Sequence, residues 1–461
     1  MNPAAHIAYL GASTLFIVGL KGLTHPRTAI RGNKLAAAAM LIVVGGAFVE
    51  TGLAHIPLVA AALVIGAVVG MQVARRVRMT SMPQLVAAFN GLGGLASAFV
   101  ALVQMRRLGV ESSPSTEHAT LLATAGIAVA IGSLAATGSV VAFVKLHGWK
   151  WSPRNATAWR ILNVVGLAAV AAMIALSCVA PTGSAGLTVL LLAAVVGLTT
   201  VACIGGADMP VVIALLNSLS GVAAAAAGFS IQNVALVVSG SLVGASGLLL
   251  TNIMCKAMNR NLLGVLFGAK TASPGASQAG ITEEVQVKET CAEEVALILE
   301  SARTVMVVPG YGMAVAQAQH AVRDLARALT QQGVQVSFAI HPVAGRMPGH
   351  MNVLLAEVDI PYDAVLDMEA ANARFAETDV AIVIGANDVC NPCARQSVDS
   401  PLAGMPILDV DRARVVVAIK RSLSPGFAGV ANPLFSAANT AMLFGDAKRA
   451  VHDVVSHLSE S

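Results

Sequence analysis

Charge is the first thing this sequence is short of. Only 12% of its 461 residues are charged while 56% are hydrophobic, and the mean hydropathy is +0.74, a balance that excludes an ordinary water-soluble protein. The shortage is uneven. Met1 to Cys255 carries few ionisable groups, whereas the part after Thr282 has the mixture expected of a cytosolic domain. Lipid around the first part and water around the second are implied. No basic residue precedes the first apolar run and a basic loop follows it, the reverse of an export signal, so that run is read as a retained helix. Cysteine is also sparse. Cys178, Cys203 and Cys255 lie in or at the ends of apolar runs, and Cys291, Cys390 and Cys393 in the polar part, so no disulfide framework is expected.

Runs near the roughly 20 residues that a bilayer demands predict nine spans, at about 5–20, 35–50, 56–74, 84–105, 120–144, 161–180, 187–203, 210–229 and 234–255. The loops holding Lys21, Arg27, Arg31 and Lys34, then Arg75, Arg76 and Arg78, then Lys145, Lys150, Arg154 and Arg160 fall on one side. Basic loops mark the cytoplasmic face, so nine spans put the N-terminus outside and the C-terminus inside. Gly66 with Gly70, and Gly240 with Gly244, stand at the spacing that lets helix backbones approach closely. Residues 268–282 are rich in Gly, Ala, Ser and Thr and read as a flexible linker. The expected organisation is a transmembrane domain over 1–260, a linker over 261–289 and a soluble domain over 290–461.

In the soluble part, Thr290 with Glu293 reads as a capping box opening a short helix to about Ser301. β-Branched strands follow, Thr304–Val308, Val334–Ile340, Val380–Gly385 and Val415–Ile419, alternating with helical stretches such as Met313–Gln331. Such alternation predicts a doubly wound, Rossmann-like α/β domain with a parallel sheet behind the helical membrane bundle.

The first strand runs into Pro309-Gly310-Tyr311-Gly312-Met313-Ala314-Val315, a G-x-G-x-x-V turn where a pyrophosphate could meet helix N-terminal amides. A plain tight turn between strand and helix remains the alternative. The second strand ends in Ile340-His341, without the acid that an NAD-preferring domain would use on the ribose 2′-hydroxyl. Lys420-Arg421-Ser422 ends a later strand with two cations and a hydroxyl, which suits a 2′-phosphate; a solvated basic strand end is the bland reading. Within the spans, Asn90, about ten ångströms into the fourth by helical rise, and Asn217 in the eighth are costly polar residues suited to a proton route, or to interhelical hydrogen bonding. Asp208, at the mouth of the eighth span, suits coupling or a helix cap ahead of Pro210. Cys390-Asn391-Pro392-Cys393 is a C-x-x-C without a second ligand pair, so plain small-residue substitution is favoured over a redox or metal role.

The stretches Gly205–Pro210, Cys255–Arg260, Pro309–Gln319, His341–Glu357, Gly385–Asp388 and Lys420–Ser422 resemble the beta subunit of proton-translocating NAD(P) transhydrogenase over nearly the whole chain. The resemblance implies direct hydride transfer between NADH, held by a separate NAD(H)-binding alpha subunit, and NADP⁺ held here, coupled to inward proton flow. It implies an inner-membrane location, a dimer of the alpha-beta unit, further membrane helices from the partner, and no nucleic-acid partner. By motif match, Tyr311, Val343, Ala344, Gly345, Arg346, Met347, Pro348, Gly385, Ala386, Asn387, Asp388, Lys420, Arg421, Ser422, Asp446 and Ala447 would line the NADP(H) site. The cofactor would lie reversed on the sheet, so the turn containing Gly310, Gly312 and Val315 need not hold a pyrophosphate. Some bacterial relatives have a His where Asn90 stands, and relatives often have a Tyr where Phe427 stands. The residues agree with this on one point: the chain has a single nucleotide fingerprint, and the implied exchange between two nucleotides needs a second, which a partner would supply. No nucleophile or metal is expected, because hydride passes between nicotinamide rings without a general acid or base. A channel or transporter gated by a nucleotide sensor would need a filter or re-entrant segment, and a self-sufficient NADP dehydrogenase an acid-base residue and a substrate domain. Neither set is found.

Overall fold

The protein is described from a computed structural model covering residues 3–23, 26–51, 56–77, 81–110, 115–149, 156–205, 208–259, 261–267, 287–347, 349–396, 400, 402–426 and 428–460. Contacts divide it into two compact units, Met1–Gly206 with Val212–Thr251, and Ala207–Val211 with Asn252–Ser461. Most of the expected linker, together with Pro348 and Phe427, lies outside the described residues.

The described elements of the first part are helices: α1 (Pro3–Leu23), α2 (Pro26–Thr51), α3 (Ile56–Arg76), α4 (Met82–Val110), α5 (Thr116–Leu146), α6 (Ala156–Val179), α7 (Ala185–Ala202), α8 (Met209–Ser230) and α9 (Val234–Ala257). All nine of these described helices are long and apolar enough to cross a bilayer, and they match the nine predicted spans in order. Glycine decides how closely they pack. A Cβ on Gly94 would stand 2.8 Å from the Gly132 carbonyl oxygen, and one on Gly221 2.6 Å from the Gly244 nitrogen, so α4 with α5 and α8 with α9 touch backbone to backbone. Gly240 and Gly244 pack as the sequence predicts. Gly66 and Gly70 do not, since nothing lies within 4 Å of either position and α3 is exposed along its span. Spacing alone did not say which face has a neighbour within this chain.

A short helix α10 (Leu262–Phe267) opens the range predicted as linker. The soluble domain then runs α11 (Ala292–Glu300), β1 (Thr304–Pro309), α12 (Tyr311–Val315), α13 (Gln319–Gln331), β2 (Gln335–Ala339), α14 (His350–Glu357), β3 (Val365–Leu366), α15 (Met368–Arg374), β4 (Val380–Ile384), α16 (Cys393–Gln396), β5 (Val415–Lys420), β6 (Thr440–Phe444) and α17 (Ala447–Glu460). All six strands are parallel, in the order β3-β2-β1-β4-β5-β6. Every residue of β4 is buried, as expected of a strand covered by helices on both faces.

Three local expectations are corrected. The capping box does not form: Cys291 is the cap residue without a side-chain bond, and Thr290 Oγ1 donates to Glu294 Oε2 at 2.7 Å. Helix Met313–Gln331 is broken after Val315, where Gln317 takes φ +51°. Two strands were unread: β3, only two residues long, and β6, whose neighbouring Asn439 donates from its side chain to the chain ahead of β5.

Candidate functional site

The chain leaves β1 for β2 on one side and later returns to β4 on the other, so the C-terminal ends of β1 and β4 form the switch point where ligands of open parallel sheets settle. The two loops there are packed against each other. The Gly310 amide donates to the Ile384 carbonyl and the Gly312 amide to the Gly385 carbonyl, both at 2.9 Å. A Cβ on Gly312 would stand 2.6 Å from the Gly385 Cα, and one on Gly310 would collide with Ala386. Gly385 itself sits at φ +63°, a conformation glycine adopts without strain. The glycines of this fingerprint therefore serve loop packing and their amides are already satisfied. Five-residue α12, with Val315 exposed at its end, offers no anion cradle of the usual kind, so the pyrophosphate expectation for this turn is set aside.

The loop after β2 is shaped by two histidines that sequence reading did not single out. His341 and His350, both 1% exposed, bracket residues 342–349. His341 Nε2 donates to the Pro406 carbonyl at 2.8 Å, while its Nδ1 accepts the Val343 amide at 3.3 Å. His350 Nδ1 accepts the Arg346 amide at 3.1 Å. Between them Ala344 and Met347 are buried, Gly345 turns at φ +108°, and the Arg346 guanidinium lies 4.5 Å from the centre of the Tyr311 ring. Burial pushes both histidines down to about 4, aided at His350 by the Arg346 charge and opposed at His341 by its bond to Pro406.

That shift sets an acid limit on the domain. The unfolded rings titrate near 6.5 and the folded ones near 4, so above pH 6.5 neither state holds the protons and stability is flat. Between 6.5 and 4 the unfolded chain binds more protons, and stability falls by about 1.4 kcal/mol per pH unit for each ring. Histidine ¹⁵N spectra of the 290–461 fragment should show both rings neutral at pH 5.5; a ring titrating near 6.5 would contradict the assignment.

On the far side of the switch point, Lys420 ends β5 with its Nζ 3.1 Å from the Ser424 carbonyl and 4.4 Å from the Phe435 ring centre. Arg421 and Ser422 are exposed, and Ser422 Oγ bonds Ser424 Oγ at 2.9 Å. Asp388 accepts the Ala428 amide at 3.0 Å and faces Gly426, where no side chain fits. Asn432 donates to both oxygens of Asn387 at 3.1 Å. The loops after β4 and β5 are thus one body. The Gly445 amide donates to the Lys420 carbonyl, and Asp446 caps α17 by accepting the Lys448 amide at 3.1 Å, with Ala447 buried behind it. Of the residues predicted for the nucleotide site, Tyr311, Gly312 and Val315 lie in α12 and Ala447 opens α17; the others that the structure describes stand in loops or strand ends on this edge. The edge is long: the Arg346 guanidinium lies over Tyr311, just past β1, and Lys420 ends β5, two strand spacings away, roughly 10 Å at about 4.8 Å each.

Cys390 is buried, its thiol pushed up to about 12 by desolvation, and its Sγ contacts the Asn387 carbonyl. All six cysteines are free. A cavity of about 220 Å³ beside Asp379 and Arg414 lies at the opposite, N-terminal end of the strands. Asp379 is committed there to the amides of Arg303 and Thr304 and to Arg414, a structural use.

In the membrane part, Asn90 is buried and donates to the Ile213 carbonyl at 3.2 Å, binding α4 to α8. The half-buried Asn217 side chain makes no hydrogen bond among the described residues. Asp208 is buried. Lys145, expected only as a loop charge, caps α7 through the carbonyls of Val201, Ala202 and Ile204 at 3.2, 2.6 and 2.7 Å.

The family model described as NAD(P) transhydrogenase beta subunit matches residues 5–457. The chain belongs to that family. It is 44% identical over 453 residues to the NAD(P) transhydrogenase subunit beta of Rhodospirillum rubrum, covering 97% of each chain, and equally similar to the protein of the same name from a further strain of that species. The family is an oxidoreductase family of the membrane that uses nicotinamide nucleotides, and a beta subunit implies an alpha subunit. The donor set on the sheet edge fits such a ligand. Arg346 over the half-buried Tyr311 and the Lys420–Arg421 pair offer cations at two separated stations, and the half-buried Gly385 and Asn387 follow β4 between them.

Proposed function

We propose that this chain holds NADP(H) along the C-terminal edge of its sheet and exchanges hydride with NAD(H) held by an alpha subunit, with protons moving inward through the membrane helices. The observation that carries the reading is the separation of the cationic stations. A single phosphate cannot span from Arg346 to Lys420 and Arg421, whereas a dinucleotide with a 2′-phosphate can. Lys420, Arg421 and Ser422 would take the 2′-phosphate. Tyr311, the Val343–Pro348 loop with Arg346, and the Gly385–Asp388 loop would bind the remainder, with Asp446 and Ala447 closing the end beside β6. When bound, the nicotinamide supplies the hydride donor or acceptor. The protein's own part is to hold the rings in register and exclude water, without a general acid or base. The packed glycines favour a cofactor lying over the β1 and β4 loops instead of on the α12 amides. The basic loops favour a periplasmic N-terminus and a cytoplasmic nucleotide domain, and the membrane would be a bacterial inner membrane. The working unit would be a dimer of the alpha-beta pair, with the exposed α3 free to meet partner helices.

For proton coupling, Asn217 is the stronger candidate because its side chain is not committed to holding helices together, while Asn90 also serves as glue. Asp208 would serve in coupling proton movement to the nucleotide reaction. In vesicles carrying the alpha-beta enzyme, Asn217→Leu is expected to slow proton-coupled transhydrogenation at least tenfold with NADPH affinity unchanged. Asn90→Leu should slow it less and also lower stability by about 1 kcal/mol. Full pumping in both variants would remove these residues from the route.

A further inference from the structure

We infer that His350 is a positioning residue for Arg346: its neutral ring is the template on which the Gly345–Arg346 turn is formed, and it thereby aims the guanidinium at the nucleotide. The inference rests on the reading that Arg346 faces NADP(H). Three independent contacts converge on this ring. Its Nδ1 accepts the Arg346 amide at 3.1 Å. Gly345, at φ +108°, lies so close that a Cβ there would stand 2.5 Å from Nδ1 and 2.7 Å from the His350 Cβ. The ring centre is 6.3 Å from that of Tyr311, over whose face the Arg346 guanidinium sits at 4.5 Å.

The ring can do this in one protonation state only. An Nδ1 that accepts an amide carries no proton, so the proton is on Nε2, an assignment made from the bonding pattern. Nε2 is buried and has no hydrogen-bond partner among the described residues, so the ring is held by its Nδ1 side and by packing. A second proton would set an N–H against the Arg346 N–H beneath an arginine charge. The chemistry needed from position 350 is therefore a buried acceptor one bond from Cγ, backed by a flat face that accommodates glycine.

This separates the variants. Asn places an oxygen on Cγ, where Nδ1 stands. Gln carries its polar atoms one bond further out, as Nε2 does, and leaves the amide without its acceptor. In the complete alpha-beta enzyme, His350→Gln is expected to weaken NADP(H) binding about tenfold, and His350→Asn by less than about threefold. Because the effect runs through Arg346, His350→Gln should add little in an Arg346→Ala background, a large coupling in the double-mutant cycle. Equal losses for Gln and Asn, or losses that add fully to Arg346→Ala, would overturn the proposal. A large loss in Arg346→Ala with none in His350→Gln would overturn it alone. An unchanged affinity in Arg346→Ala would overturn it together with the reading of the site. If His350→Gln does not fold, the ¹⁵N spectrum of wild-type enzyme decides: a proton on Nε2 supports the template, and a proton on Nδ1 contradicts it.

Discussion

Replacing Lys420 and Arg421 together by Ala is expected to weaken NADPH binding at least about a hundredfold while leaving NADH binding almost unchanged. A 2′-phosphate carries roughly two negative charges near neutral pH and needs cations already in place. Each charge-assisted hydrogen bond contributes roughly 1.5–3 kcal/mol, and about 1.4 kcal/mol is a factor of ten, so two such bonds give the hundredfold. The two residues are not equivalent. Lys420 is half-buried against Phe435 with one donor committed to the Ser424 carbonyl, and desolvation lowers its pKa against the pull of Cys390 and Asp388. Removing it also loosens the turn. Arg421 is exposed and forms no ion pair among the described residues, so Arg421→Ala should give the cleaner discrimination between NADPH and NADH. Titration calorimetry with each nucleotide measures both. Equal losses for NADPH and NADH would make the pair a support of the fold instead of a reader of the phosphate.

Much of this was legible in the sequence because the signals are periodic or compositional. Nine apolar runs became nine helices, and four of the five longer strands appeared where β-branched residues cluster, since burial on both faces demands such runs. What stayed hidden depends on tertiary contacts. Nothing in Gly66-x-x-x-Gly70 reports that α3 has no close neighbour in this chain while Gly240-x-x-x-Gly244 has one. Nothing in Gly310-x-Gly312 says that both amides are consumed by the β4 loop 73 to 74 residues further on. The two histidines bracketing 342–349 were visible as letters. Their role follows from burial and from which ring nitrogen meets which amide. Thr290 with Glu293 had the capping-box spacing, yet the helix begins one residue later and the pair formed is with Glu294.

The largest effect expected is on turnover. Among the described residues there is one open sheet with one switch point, and its cationic stations suit a single dinucleotide. Hydride exchange between two nucleotides therefore needs a second site, and an NAD(H)-binding alpha subunit is the natural source. The isolated chain should bind NADP(H) and yet be inert, with activity appearing only when the alpha subunit is added. A label makes the test direct. The purified chain is loaded with NADPH deuterated at the transferred position of C4, an NAD⁺ analogue is supplied, and the reduced analogue is examined for deuterium before and after the alpha subunit is added. The account predicts no reduction by this chain alone, and with the partner present a reduced analogue that carries the label, none having exchanged with water. Reduction of the analogue by this chain alone, or loss of the label to solvent, would contradict it.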